Sequence, residues 1–202
     1  MSDLKKFATL YPEAPDSRRN MILRGSAKLF YEKGYSKTTA RDIGAAVGML
    51  NGSIFYYFPS KGHILAAVIN EAMSRGERVV HQALAEAPPD PRDRFETLIR
   101  THLVLLCRED SRYAHLVANS EWKHVPEELR HSLRRLNESY RKVWWQIMDE
   151  LDEIGLLRLP RNVLYRFCVG GLNWTGRSQV DKSPEAINEI VRQIRKLVLC
   201  DC

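Results

Sequence analysis

The chain has 202 residues, 44% hydrophobic and 28% charged, which suffices for one domain with a real core or for a small module joined to a larger one. Its net charge of +6 is concentrated early: residues 1–62 carry 10 Lys and Arg against 5 Asp and Glu, whereas residues 63–202 carry 21 against 20. No apolar run approaches the ~18 residues a bilayer span requires, and residues 1–15, with Lys5, Lys6, Pro12 and Pro15, lack the apolar centre of a secretion signal, so we expect a cytoplasmic chain with a flexible N-terminal segment.

Turn signals are sparse and no stretch alternates polar and apolar residues for long, which predicts an all-α protein of about nine helices. The first helix should run from Asp16 or Ser17 to Lys33, bury Ile22, Ser26, Leu29 and Phe30, and stop at Gly34. A second begins at Thr38 or Thr39, where a threonine hydroxyl can accept from an orphan helix N–H, and its buried side should carry Ile43, Ala46 and Val47. Gly48 suits a sharp turn needing positive φ, and Met49 is expected to plug the corner. Asn51, Gly52 and Ser53 then open a third helix, with Ile54 and Phe58 inward and part of the run Phe55, Tyr56, Tyr57 facing out. Pro59 ends that helix, and Ser60 caps the next. Lys61 stands in that helix's first turn, where a cation calls for a nearby anion such as phosphate. Two short helices around one glycine form a helix-turn-helix, which presents side chains to a DNA groove; with the first helix they make a three-helix head over residues 16–62.

Residues 63–202 read as a larger helical body. A long helix from Lys61 to about Ala87 carries Ile64, Leu65, Val68, Ile69 and Met73 on one side and ends at Pro88–Pro89. Asp90–Pro91 starts the next, with Phe95, Leu98, Ile99, His102, Leu105 and Leu106 on one face, and a shorter helix follows from about Asp110 to Glu121. Leu129, Leu133, Leu136, Tyr140, Val143, Trp144, Ile147 and Leu151 keep the three-and-four spacing of a long helix that should end at Gly155. Two more helices, about Arg161–Gln179 and Ser183–Leu199, each carry an apolar stripe: Leu164, Phe167, Cys168, Gly171 and Leu172 in one, and Ile187, Ile190, Val191, Ile194, Leu197 and Val198 in the other. Gly170–Gly171 permits close helix approach. The stripes suit either intramolecular core or a contact with a second copy.

The segment TTARDIGAAVGMLNGSIFYYFPSK, Thr38 to Lys61, with LFYEKG before it, resembles the DNA-binding domain of TetR-type transcriptional regulators: Gly34, Thr39, Ile43, Ala46, Gly48, Gly52, Phe58 and Lys61 stand where that pattern wants them. It departs in having Phe55 for the usual tyrosine and Leu50 for the usual Ser or Thr cap, a role Asn51 can take over. The resemblance implies a homodimer with a two-fold four-helix interface, an inverted-repeat operator in double-stranded DNA, and a small-molecule effector bound by the body. It also implies phosphate contacts from Thr39, Tyr57 and Lys61, close backbone approach at Gly52, and base-edge contacts from Arg41, Asn51, Ser53 and Tyr56.

Polar and aromatic residues in the body's periodic segments are the candidate effector lining: His102, Tyr113, His115, Trp122, Tyr140, Trp144, Asn173, Trp174 and Arg177. The run GGLNWTGR, Gly170 to Arg177, is similar to the matching segment of TetR-type repressors of acyl-CoA and sterol-ring catabolism, which implies an acyl-CoA effector. Cys107 and Cys168 read as plain buried thiols and Cys200 and Cys202 as a tail, at no metal-ligand spacing. No HExxH, G-x-S-x-G or P-loop occurs, so no catalytic residue, metal or other cofactor is assigned. The expected function is ligand-responsive repression. An activator of the same fold, a sequence-independent DNA-binding protein and a helical enzyme stand as the alternatives.

Overall fold

The computed structural model describes residues 17–108, 111–178 and 181–200. The expected flexible segment 1–15 and the terminal Cys202 lie outside these residues. Among the described residues the protein is all helical: α1 (Arg18–Lys33), α2 (Ala40–Ala46), α3 (Asn51–Tyr57), α4 (Lys61–Ala85), α5 (Pro91–Cys107), α6 (Arg112–Ser120), α7 (Glu127–Glu153), α8 (Arg161–Arg177) and α9 (Pro184–Val198). A 3₁₀ turn, Trp122–His124, lies between α6 and α7.

The described residues pack as two units, one drawn from 17–75 with 108 and 111–137, the other from 76–107 with 138–178 and 181–200. The long helices α4 and α7 therefore contribute residues to both.

In the first unit the helix boundaries follow from their caps. The Ser17 hydroxyl accepts from Asn20 N–H at 3.2 Å to open α1, and Ser60 accepts from His63 N–H at 3.3 Å to open α4. Gly48 has φ 64°, the left-handed region that the α2–α3 corner requires, and the next N–H, from Met49, closes the turn on Gly44 O at 2.9 Å. Ile22, Phe30, Ile43, Ile54, Phe58, Ile64, Leu65 and Ile69 form one core, and Met49 packs partly buried against it. Helix α2 corrects one expectation. Ala46 is exposed and Gly44 is buried, because a helix of seven residues presents little more than one face, and that face is set by Ile43. The same core takes in Val117 of α6, Val125 before α7 and Leu133 within it, so the triple helix shares its interior with segments far along the chain.

In the second unit α5 packs against both α8 and α9. Phe95, Leu98, Ile99 and Leu103 of α5 are fully buried, as are Trp144, Ile147 and Leu151 of α7. Gly176 makes the α5–α8 approach possible: a Cβ there would stand 2.8 Å from Leu106 Cβ. The α7–α8 connection is tied to the end of α9 by an isolated antiparallel bridge, with Arg158 N–H donating to Val198 O at 3.0 Å and Cys200 N–H to Leu156 O at 2.8 Å.

The apolar stripes of α8 and α9 divide. Leu164, Cys168 and Leu172 face inward, as do Ile187, Val191 and Val198. Phe167 and Leu197 do not; they are 68% and 65% exposed. Gly170 and Gly171 face open space, for a Cβ on either would meet no other part of the described chain within 4 Å.

Candidate nucleic-acid interface and polar cluster

Helix α2 begins with a capping box, and its members are already engaged. Thr39 Oγ1 accepts from Asp42 N–H at 3.1 Å and donates to Asp42 Oδ2 at 2.7 Å, while Thr39 N–H donates to the same carboxylate oxygen at 2.8 Å. Lys33 Nζ binds the other oxygen at 2.9 Å. The Lys33 ammonium, with the Thr39 donors, holds the Asp42 carboxyl well below the usual carboxylate range. Thr38, one residue earlier, is buried and donates its hydroxyl to Gly34 O at 2.9 Å.

The Lys61 ammonium, for which phosphate is the partner expected from sequence, donates to Tyr35 O and Thr38 O, each at 2.8 Å, and lies 4.2 Å from the centre of the Tyr35 ring. It stitches the α1–α2 loop to the start of α4. Carbonyl oxygens thus supply the negative partner that a cation in a first helical turn needs. The Tyr35 ring is also stacked with His124, their centres 4.9 Å apart.

These contacts fix an exposed face. Arg41, Gly52, Ser53 and Tyr56 are all exposed, Tyr56 to 86%, while Tyr57 is half-buried and meets the Tyr56 ring edge-on at 5.2 Å. Asn51 opens α3, and its side chain is outside the described set. Leu50 precedes it, 82% exposed, and gives no side-chain cap to α3. The Ser53 N–H donates back to Leu50 O at 3.0 Å, and the N–H groups before it suit an external acceptor such as a phosphate oxygen.

The nine candidate effector residues separate. His102, Tyr140, Trp144 and Asn173 come together in the second unit: His102 Nδ1 lies 2.7 Å from the Tyr140 hydroxyl and Nε2 lies 3.4 Å from Asn173 Oδ1, with the Trp144 ring edge-on to His102 at 5.8 Å. An amide oxygen can only accept, so His102 carries its proton on Nε2 and accepts from Tyr140 at Nδ1. Tyr113, His115 and Trp122 belong instead to the first unit. There Tyr113 meets Tyr31 at 5.5 Å, and both Tyr113 and Trp122 pack half-buried on the head's core. Trp174 and Arg177 are exposed on α8, Trp174 to 67%.

Burial pushes the His102 imidazole down to about 4, so it is neutral at neutral pH. A base whose folded pKa lies below its unfolded value binds fewer protons when folded, so its contribution to stability is full above the unfolded value near 6.5 and is lost as pH falls toward 4. Thermal melts between pH 7 and 4 should therefore show wild type losing stability through this window and His102→Gln losing less of it; parallel curves would contradict the assignment. The Tyr140 phenol is likewise driven upward by burial, and the Cys168 thiol up to about 12, which keeps it protonated.

The geometry defines a helix-turn-helix protein whose third helix is exposed on one side, together with a second helical unit. Residues 22–68 match the profile of bacterial regulatory proteins of the tetR family, and residues 88–199 match the tetracyclin repressor-like C-terminal domain. The chain belongs to the TetR family of transcriptional regulators. Among sequence relatives it is similar to the HTH-type transcriptional repressor KstR2 of Rhodococcus jostii strain RHA1, 29% identical over 161 residues that cover 74% of this chain and 72% of that one. Among solved structures it is similar to AibR in complex with isovaleryl coenzyme A and operator DNA, with a TM-score of 0.79, 20% identity, and coverage of 90% and 97%. It is also similar to a structure described as superantigen pfit, with a TM-score of 0.75, 29% identity, and coverage of 99% and 98%. Among the described residues no helix is long and apolar enough to cross a membrane.

Proposed function

We propose that this regulator represses transcription as a homodimer on an inverted-repeat operator, and that a small molecule held by the second unit releases it. The observation that carries the reading is the presence of two exposed surfaces: the polar and aromatic face of α2 and α3, and the apolar outer face of α8. Residues 16–62 read the DNA; residues 63–202 bind the effector and the second copy. Arg41, Asn51, Ser53 and Tyr56 face base edges, Gly52 allows the backbone close, and Tyr57 contacts phosphate. Thr39 reaches phosphate only by exchanging the bond its hydroxyl donates to Asp42, whereas Lys61 spends two of its three N–H donors on carbonyl oxygens; the first role of both is to fix the loop that aims α2.

Phe167, Gly170, Gly171 and Trp174 recur at helical spacing on one side of α8, where small residues admit a second helix and the two large rings cover it. That use of Trp174 takes it out of the effector lining and leaves His102, Tyr140, Trp144, Asn173 and Arg177 as the proposed effector contacts. The relatives named for repression and for a complex with a coenzyme A thioester, with the GGLNWTGR run, favour an acyl-CoA as effector. The arrangement supports no catalytic role, and a cytoplasmic location fits DNA as partner.

Selection of bound duplexes from a random pool is the test. It should return inverted repeats whose half-sites lie one helical turn apart, about 10–10.5 bp, and an acyl-CoA should reduce recovery; selection of no common sequence would favour sequence-independent binding. Arg41→Ala is expected to relax preference at one base pair per half-site, a loss of about 1–3 kcal/mol of discrimination. Unaltered preference in that variant would remove Arg41 from the reading face.

A further inference from the structure

The second unit carries a strongly basic groove that neither the DNA-reading face nor the His102 cluster uses. It lies between α5 and α9 and has a volume of about 620 Å³. Arg92 and Arg100 line it from α5, and Arg192, Arg195 and Lys196 line it from α9, against a single carboxylate, Glu96. Three of the cations are matched: Arg195 with Glu96, Arg92 with Asp90 at 3.6 Å, and Arg192 with Glu189. Among the described residues Arg100 is held by a neutral acceptor, Asn188 Oδ1, and Lys196 is exposed. Even with the flanking acids counted, positive charge is in excess within the groove.

We propose that this groove is a second ligand site, for a small molecule bearing a diphosphate group, of the nucleotide or coenzyme kind. Guanidinium forks fit phosphate oxygens two at a time, and the five cations around the opening outnumber the three acids paired with them, Glu96, Asp90 and Glu189, by two charges, the charge of a diphosphate's bridging segment. Arg100 is the anchor, because its bond to Asn188 fixes the guanidinium before a ligand arrives while leaving its charge uncompensated. Lys196 adds a mobile point charge. The volume lies within the range of pockets for molecules of nucleotide size, well beyond one phosphate ion. Val191 and Leu199, both buried at the base of the groove, offer an apolar floor for a ring or chain attached to the phosphates. The site is separate from the proposed effector contacts and does not depend on them.

Titration calorimetry on the full-length protein with inorganic pyrophosphate, ADP and adenosine tests this. Pyrophosphate and ADP should bind, ADP the more tightly, and adenosine should not. In Arg100→Gln/Lys196→Gln, affinity for both phosphates should fall at least tenfold, and Arg100→Lys should recover part of it; operator binding without ligand should be unchanged in every variant. Circular dichroism on each variant separates lost binding from lost fold. No binding of pyrophosphate or ADP to the wild type, or equal affinity in the double variant, would overturn the proposal.

Discussion

Phe167→Glu/Trp174→Glu is expected to turn the protein into a folded monomer whose operator affinity is about 10²–10⁴-fold weaker, the gain ordinarily lost when two linked binding events become one. Both side chains are exposed, 68% and 67%, so their replacement leaves the interior of α8, formed by Leu164, Cys168 and Leu172, intact. Against a second copy, however, two carboxylates per chain would be desolvated and set beside their symmetry mates, an arrangement that costs free energy on both counts. Sedimentation with a gel-shift titration reads the outcome. A variant that stayed dimeric would place the interface elsewhere; one that became monomeric with full affinity would show that one head suffices.

Trp144→Ala should be the most damaging single truncation in the second unit, at about 3–5 kcal/mol, which for a chain of this size corresponds to a melting temperature lower by roughly 6–20 °C. The indole is fully buried and touches rings on two sides, His102 at 5.8 Å and Tyr165 at 6.1 Å. Removing it opens a cavity and withdraws the wall that keeps the His102–Tyr140 hydrogen bond away from water. Trp144→Phe retains much of the volume and should cost considerably less. Thermal melts of both variants check this, and near-equal loss in the two would mean that the indole's size is not what matters there. Effector response should suffer in Trp144→Phe as well, because the polar pair it packs on belongs to the proposed contacts.

The helix-turn-helix is legible in the sequence because its determinants are local: Ser17, Thr39 and Ser60 cap, Gly48 turns with positive φ, and Ile43, Ile54 and Phe58 recur at core spacing. Helix boundaries in the body follow from prolines and glycines in the same way, with α4 ending at Ala85 a little before the expected Ala87. What periodicity does not supply is which of two neighbouring faces a helix turns inward. In α8, Leu164 and Phe167 sit on one apolar arc, yet only the first is buried, since the position of α5 decides the matter.

Partners distant in sequence are equally hidden. Lys61 reads as a cation in a first turn in need of an anion; its two carbonyl partners lie 23 and 26 residues back, in a loop whose path no local rule predicts. The candidate effector set mixes two environments for the same cause. Tyr113, His115 and Trp122 have the composition of pocket lining, but α6 and the 3₁₀ turn pack with the triple-helix head, and only tertiary structure brings His102, Tyr140 and Asn173 within hydrogen-bonding distance. The basic groove is only half visible in the linear pattern: Arg192, Arg195 and Lys196 cluster late in α9, but Arg92 and Arg100 alternate with Asp93 and Glu96 along α5, the body as a whole is nearly neutral, and only packing brings the two helices side by side.

The measurement that bears most directly on two-headed operator recognition is the stoichiometry and affinity of binding to a selected operator, compared with the same duplex in which one half-site has been reversed to make a direct repeat. Two chains should occupy each inverted repeat, and reversal should weaken binding about 10²-fold or more, as expected when only one head can engage. Equal affinity for the inverted and the direct repeat, or one chain per operator at saturation, would contradict it.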